Sequence, residues 1–173
     1  DLTEGDSISR LAEAVTGRWK KLDILVMNAA MLGTLSPVPH IDAKEFDRLI
    51  TLNLVANQRL LAAFDPMLRQ GTAPRIVAVT ASVATAIRPY FGAYGASKAA
   101  LECLVLTYGE EVKNLSDIRV AIVDPGATAT TMRARAFPGE DPSTIKSPGM
   151  VGKTIAELVT QDFDTGHRVR IEG

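Results

Sequence analysis

Arg75-Ile76-Val77-Ala78-Val79-Thr80-Ala81-Ser82 is a short apolar run that ends in hydroxyl-bearing residues, and one loop later Tyr94-Gly95-Ala96-Ser97-Lys98 opens a long helical segment. The apolar part, Ile76 to Val79, reads as a buried strand, because a run this short, bounded by polar residues, is too brief for a helix. The helical segment runs from Phe91 to Lys113. Working outward, the same alternation recurs on both sides.

Toward the N-terminus, Ser7 to Trp19 has helical periodicity, with Ile8, Leu11, Ala12, Val15 and Trp19 on one side, and a strand from Ile24 to Met27 follows. A loop bearing Gly33, Pro37 and Pro39 leads to a helix over about Asp42 to Arg69, in which Pro66 should cause a bend or break near the end. Toward the C-terminus, the strand Val120 to Val123 is stopped by Asp124-Pro125-Gly126. Arg133 to Pro148 carries four helix-disfavouring residues, Pro138, Gly139, Pro142 and Pro148, and is expected to be a mobile loop beside the substrate. A helix from about Pro148 to Leu158 and a strand from Val169 to Ile171 complete the chain. Strands that alternate with helices predict an α/β fold with a doubly wound parallel sheet, since each crossover must cover the sheet. In such sheets ligands bind beyond the carboxyl ends of the strands. Asn28-Ala29, Thr80 to Ser82, Pro125-Gly126 and the start of the Tyr94 helix then fall on one rim.

With 173 residues, 46% of them hydrophobic and 23% charged, the chain can bury the core of a single domain spanning 1–173. A net charge of -1 gives no electrostatic reason to expect nucleic acid or an anionic membrane as partner. Apolar runs are too short to cross a bilayer and no basic-then-apolar leader stands at Asp1, so a cytoplasmic setting is expected. The lone Cys103, within an apolar helical run, reads as a packed core residue. His40 and His167 have no neighbours at metal-ligand spacing, so no metal site is expected.

Tyr94 and Lys98 are one helical turn apart and project from one face. A cation near a phenol favours its ionised form, so Lys98 is expected to lower the Tyr94 pKa and ready it as general acid and base on an alcohol or carbonyl. Taken alone, the pair could equally be a half-buried aromatic and a solvated lysine.

The accompanying segments decide between these. Asp23 to Ala30, Asn53 within Ile50 to Leu54, Arg75 to Ser82, Tyr94 to Lys98 continued as Ala99-Ala100-Leu101-Glu102, and Val120 to Gly126 resemble, in order and interval, the motifs of the short-chain dehydrogenase/reductase family. The resemblance covers almost the whole chain and implies a Rossmann-type domain of which roughly the C-terminal two-thirds is present. That family's Thr-Gly-x-x-x-Gly-x-Gly turn, which cradles a dinucleotide pyrophosphate, occurs nowhere here, and Asp1-Leu2-Thr3 resembles the end of its third strand. The 173 residues by themselves are therefore expected to bind dinucleotide weakly and to leave the Ile24 to Met27 strand as an apolar edge.

What the resemblance implies is hydride transfer between NAD or NADP and a small-molecule alcohol or carbonyl, with Tyr94 exchanging the proton. Lys98 would tune Tyr94 and bond the ribose hydroxyls, and Asn53, at a distorted helical turn, would hold a water in the proton relay. The family serine lies thirteen residues before the tyrosine; here that position is Ala81, with Ser82 next, so Ser82 serves only if the loop is shorter or a bulge re-aims it. Thr80 is a further hydroxyl. Asp1, Leu2, Asn28, Ala29 and Ala30 would lie along the cofactor, Ala30 in place of the family glycine; Pro125, Gly126, Thr128 and Thr130 would hold the nicotinamide end. A homodimer or homotetramer through helices 42–69 and 91–113 is expected. Ala81 and Ala30 keep a second class open, a non-catalytic binding or scaffold relative.

Overall fold

The structure, a computed structural model, describes residues 1–172. Four strands, β1 (Ile24–Met27), β2 (Arg75–Val79), β3 (Arg119–Asp124) and β4 (His167–Arg170), form one parallel sheet whose spatial order is the chain order. Val26 lies opposite Val77, Val77 opposite Ala121, and Val123 opposite Val169. Parallel neighbours cannot be joined by a tight turn, so a helix crosses each gap. After α1 (Ser7–Thr16), the helices α2 (Ala43–Ile50) and α3 (Ala56–Leu68) join β1 to β2, and α4 (Gly92–Val112) joins β2 to β3. The last crossover carries α5 (Thr131–Ala136) and α6 (Pro148–Leu158).

Side-chain alternation along the strands divides the core in two. Ile76 and Ala78 of β2, with Val120 and Ile122 of β3, pack against α1, α3 and α4 through Ile8, Leu60, Phe64, Leu101 and Val105. Val77, Ala121 and Val123 face the other way and pack with Leu158 of α6, Phe163 and Ile171. Central β2 is therefore buried along its whole length. All three crossovers step across the sheet in one direction, yet the last uses the opposite face, so its hand is opposite to that of the first two.

Local signals set the helix starts. The Asp42 carboxylate accepts from the Glu45 amide at 2.9 Å and caps α2; Ser147 caps α6 by accepting from the Met150 amide, with Pro148 at the first helical position. The segment expected as one helix from Asp42 to Arg69 is interrupted, but not at Pro66, which lies inside α3 while the helix continues to Leu68. The break is a π turn over Thr51–Val55.

Three further expectations are corrected. Cys103 is exposed on α4 rather than packed in the core, because its position falls on the solvent side of a helix whose buried face carries Tyr94, Lys98, Leu101 and Val105. α1 stops at Thr16, leaving Trp19 beyond it and 55% exposed. Arg133 to Pro148 is not structureless: α5 extends to Ala136, a 3-10 turn spans Pro142–Thr144, and Lys146 forms a β-bridge with Thr128. At one edge of the sheet, β1 presents Ile24 and Val26, both among the exposed large hydrophobic residues, as the apolar pattern implies.

Candidate active site

A cavity of about 950 Å³ lies at the carboxyl ends of all four strands, bounded by Val26 and Asn28 after β1, Val79 to Ser82 after β2, Asp124 to Gly126 after β3 and Arg170 of β4. Helix α4 begins on its wall. Tyr94 and Lys98 both line the cavity and are 9% and 2% exposed, respectively. The Lys98 ammonium reaches past the Tyr94 ring, 5.8 Å from its centroid, and donates to the Val79 carbonyl at 2.8 Å.

Electrostatics of this pair reverse the expectation for the phenol. Burial pushes Tyr94 up to about 12, helped by the Asp124 charge, and burial pulls Lys98 down to about 8. Removal from water dominates both shifts, so Tyr94 holds its proton through neutral pH and Lys98 titrates at about 8.

Asn53 sits in the π turn, wholly buried. Its side-chain oxygen accepts from the Met31 amide at 2.8 Å, while its amide donates to the Met31 carbonyl at 2.9 Å and to Ser97 Oγ at 3.0 Å. Ser97 in turn donates to the Tyr94 carbonyl at 2.7 Å. Asn57 donates to the Asn53 carbonyl at 2.9 Å, satisfying a backbone group that the π turn displaces from regular helical bonding. Asn53 thus ties the loop after β1 to the backbone under Tyr94. It does not itself line the cavity.

β2 ends at Val79, and Ala81 is still extended before Ser82 opens a 3-10 turn over Ser82–Ala84. Regular strand alternation is lost before the serine, so the one-residue offset does not by itself turn Ser82 away; Ala81 and Ser82 both line the cavity. The Thr80 hydroxyl is committed elsewhere, donating to the buried Glu102 carboxylate at 2.6 Å, which also pairs with Arg168 at 2.7 Å. Close approach of α4 to the serine turn depends on Gly95: a Cβ there would lie 2.8 Å from the Val83 carbonyl oxygen.

Asn28, Ala29 and Ala30 line the cavity on one side, and Pro125, Gly126, Thr128 and Thr130 on another. Gly126 has φ +63, and a Cβ would meet the Ile171 carbonyl oxygen and the Lys146 amine at 3.0 Å each, so both the backbone conformation and the packing of this turn favour glycine. The Thr128 hydroxyl donates to the Pro125 carbonyl, and the Thr130 hydroxyl caps α5 by accepting from the Arg133 amide at 3.1 Å. Asp1 and Leu2 stand apart from the cavity: Asp1 closes a turn with Thr3, and Leu2 packs on the main core.

The outer wall is formed by Arg88 and Phe91, which the sequence did not single out, and by Arg133 and Phe137, which fall in or at the start of the segment expected beside the substrate but were not named as site residues. Arg88 lies in the loop before α4, and Phe137 just past α5, where no periodicity marks them. The one available signal was composition, two arginines and two aromatics close to the rim segments.

A profile described as short chain dehydrogenase matches residues 1–141. The chain belongs to this family. Among relatives of this family member, the uncharacterized oxidoreductase YciK of Escherichia coli (strain K12) is 32% identical over 157 residues, 91% of this chain and 62% of its own length. The 2,3-dihydro-2,3-dihydroxybenzoate dehydrogenase of the same strain is 27% identical, covering 82% of this chain and 56% of its own. The chain therefore spans less than two-thirds of either relative. Of solved structures, a short chain dehydrogenase from Salmonella enterica subsp. enterica serovar Typhi str. CT18 matches with TM-score 0.93 and 29% identity, over 98% of this chain and 71% of that one. A short chain dehydrogenase from Escherichia coli CFT073, complexed with NADPH, matches with TM-score 0.91 and 30% identity, over 98% and 72%.

Proposed function

We propose that this family member is an oxidoreductase that interconverts an alcohol and a carbonyl with NAD or NADP, using Tyr94 as general acid and base. The observation that carries this reading is the joint placement of Tyr94 and Lys98 on the wall of one strand-end cavity, together with Ser82. The cofactor class is supported by the Escherichia coli CFT073 short chain dehydrogenase, which is complexed with NADPH. Pro125, Gly126, Thr128 and Thr130, which line one side of the cavity, would hold the nicotinamide end. Asn28, Ala29 and Ala30 would flank the cofactor on the other side.

A bound nicotinamide supplies or accepts the hydride. In carbonyl reduction the Tyr94 hydroxyl, protonated at neutral pH, donates to the substrate oxygen; in alcohol oxidation its phenolate takes that proton back. Ser82 holds the same oxygen by a hydrogen bond. Lys98, cationic below about pH 8, offsets the charge of the phenolate and can exchange the Val79 carbonyl for a ribose hydroxyl. Asn53 fixes the start of α4 through Ser97.

Among the described residues no helix is long and apolar enough to cross a membrane, and we place the protein in the cytoplasm, acting on a small molecule rather than nucleic acid. Pairing of α2 to α3 and α4 with a second copy would give a homodimer or homotetramer. Ala81, at the family serine's spacing, favours one competing reading, a relative that binds without turnover. NADPH-dependent reduction of a carbonyl panel, lost in Tyr94→Phe, supports the enzyme; cofactor binding with no turnover across the panel supports the binding relative.

A further inference from the structure

The outer wall of the cavity holds two guanidinium groups with one aromatic ring between them in the sequence of contacts; Glu140, which pairs with one of them, lies outside the cavity lining, whose own carboxylate is Asp124. The Arg133 guanidinium carbon lies 3.7 Å from the Phe137 ring centroid, and that of Arg88 lies 4.5 Å from the same centroid and 5.5 Å from Phe91. The two rings stack at 5.9 Å with an interplanar angle of 24°. Arg133 is committed to Glu140 by two bonds of 2.6 Å each. Arg133 holds the Glu140 carboxyl below the usual carboxylate range, with a smaller contribution from the Arg88 charge, so this carboxylate stays ionised and engaged. One positive charge is left over.

Arg88 is exposed at the cavity wall and makes no ion pair among the described residues. The other cations of the wall are engaged, Lys98 with the Val79 carbonyl and Arg170 with Glu172 at 3.2 Å. A guanidinium stacked on rings keeps its in-plane N–H donors free, the geometry that takes a carboxylate by two parallel bonds. Phe91 stands one turn before Tyr94 in the same apolar cluster, and Arg88 and Tyr94 line the same cavity, so a ligand that fills it borders both.

We propose that Arg88 is a specificity-determining residue that selects substrates bearing a carboxylate, with an apolar aryl body held by the cavity-lining cluster of Leu32, Phe91 and Met132: aryl keto acids and the corresponding hydroxy acids. This rests on the reading of the cavity as the substrate site. The probes are benzoylformate and its methyl ester, titrated calorimetrically into the wild-type chain, Arg88→Gln and Arg88→Lys. The acid is expected to bind wild type about tenfold or more tightly than the ester, a preference of the size a charge-assisted pair supplies. Arg88→Gln removes the preference, and Arg88→Lys keeps part of it. Equal affinities in the wild type, no binding of the acid, or a preference that survives in Arg88→Gln overturns the proposal. An NADPH titration separates the two sources of anion: an equal loss of NADPH affinity in Arg88→Gln assigns the guanidinium to the nucleotide and also overturns it. Turnover is read separately. Selective binding of the acid together with NADPH binding but no NADPH-dependent reduction leaves the carboxylate site standing and removes the oxidoreductase reading.

Discussion

The Asn53 amide meets the Ser97 hydroxyl at 3.0 Å, and Ser97 passes the contact to the Tyr94 carbonyl at 2.7 Å, so a side chain outside the cavity holds the first turn of the helix that lines it. Asn53→Ala would orphan the amide and carbonyl of Met31 in a part-buried setting. The expected cost is about 2–3 kcal/mol, measured by urea denaturation, with a fall in turnover that exceeds the loss in cofactor affinity. Ser97→Ala, which frees only one donor, should cost less, and the double variant should fall short of the sum.

Lys98 and Tyr94 give opposite alkaline signatures. The Lys98 pKa is about 8 in the folded chain against an ordinary 10.5, so between these values the unfolded chain binds the extra proton and stability rises with pH. For Tyr94, folded about 12 against 10.0, the folded chain keeps the extra proton and stability falls over that interval. Lys98→Met should abolish the rise between pH 8 and 10, whose slope is at most about 1.4 kcal/mol per pH unit. Chemical denaturation of both proteins across that range checks the sign, and a wild-type stability that is flat or falling there contradicts the assigned burial effect.

Gly95→Ala should separate α4 from the serine turn. The added methyl meets backbone at 2.8 Å, which cannot swing aside as a side-chain tip would. A loss of about 1–3 kcal/mol in stability is expected, with a larger proportional loss in turnover because Ser82 and Tyr94 move apart. Gly149→Ala, in α6 and outside the cavity lining, is the control: its Cβ position meets only Ser147 Oγ, at an ordinary 3.7 Å, and helix propensity favours the change by up to about 1 kcal/mol.

Cys103 should react with a maleimide in the native protein without denaturant, because it is exposed on α4. If α4 pairs with a second copy, labelling slows as protein concentration rises through the dimerisation range. Concentration-independent labelling alongside a dimer by sedimentation would move the interface to another surface.

The strands were readable because their apolar runs are short and sharply bounded, and β2 in particular is buried on both faces, as an unbroken run such as Ile76 to Val79 implies. Asn53 stood out as an amide on an apolar segment that needed partners, and the structure supplies them. Other features depend on sums that no local pattern carries. Cys103 shares its run with buried residues, and only the phase of the helix tells them apart. The Tyr94 pKa is a balance between desolvation and charge, and spacing reports the charge alone. Arg88 comes to the cavity by the path of an irregular loop, so its partners Phe91 and Phe137 cannot be inferred from position along the chain.

The extra residue held in the Thr51–Val55 turn has a bearing on how this segment can vary. Each residue advances a helix by about 100°, so deleting one here to restore ordinary coiling would roll everything downstream, and Leu60, Leu61 and Phe64 would lose their seats against the sheet. Among homologues this stretch should therefore accept changes of letter far more readily than changes of length.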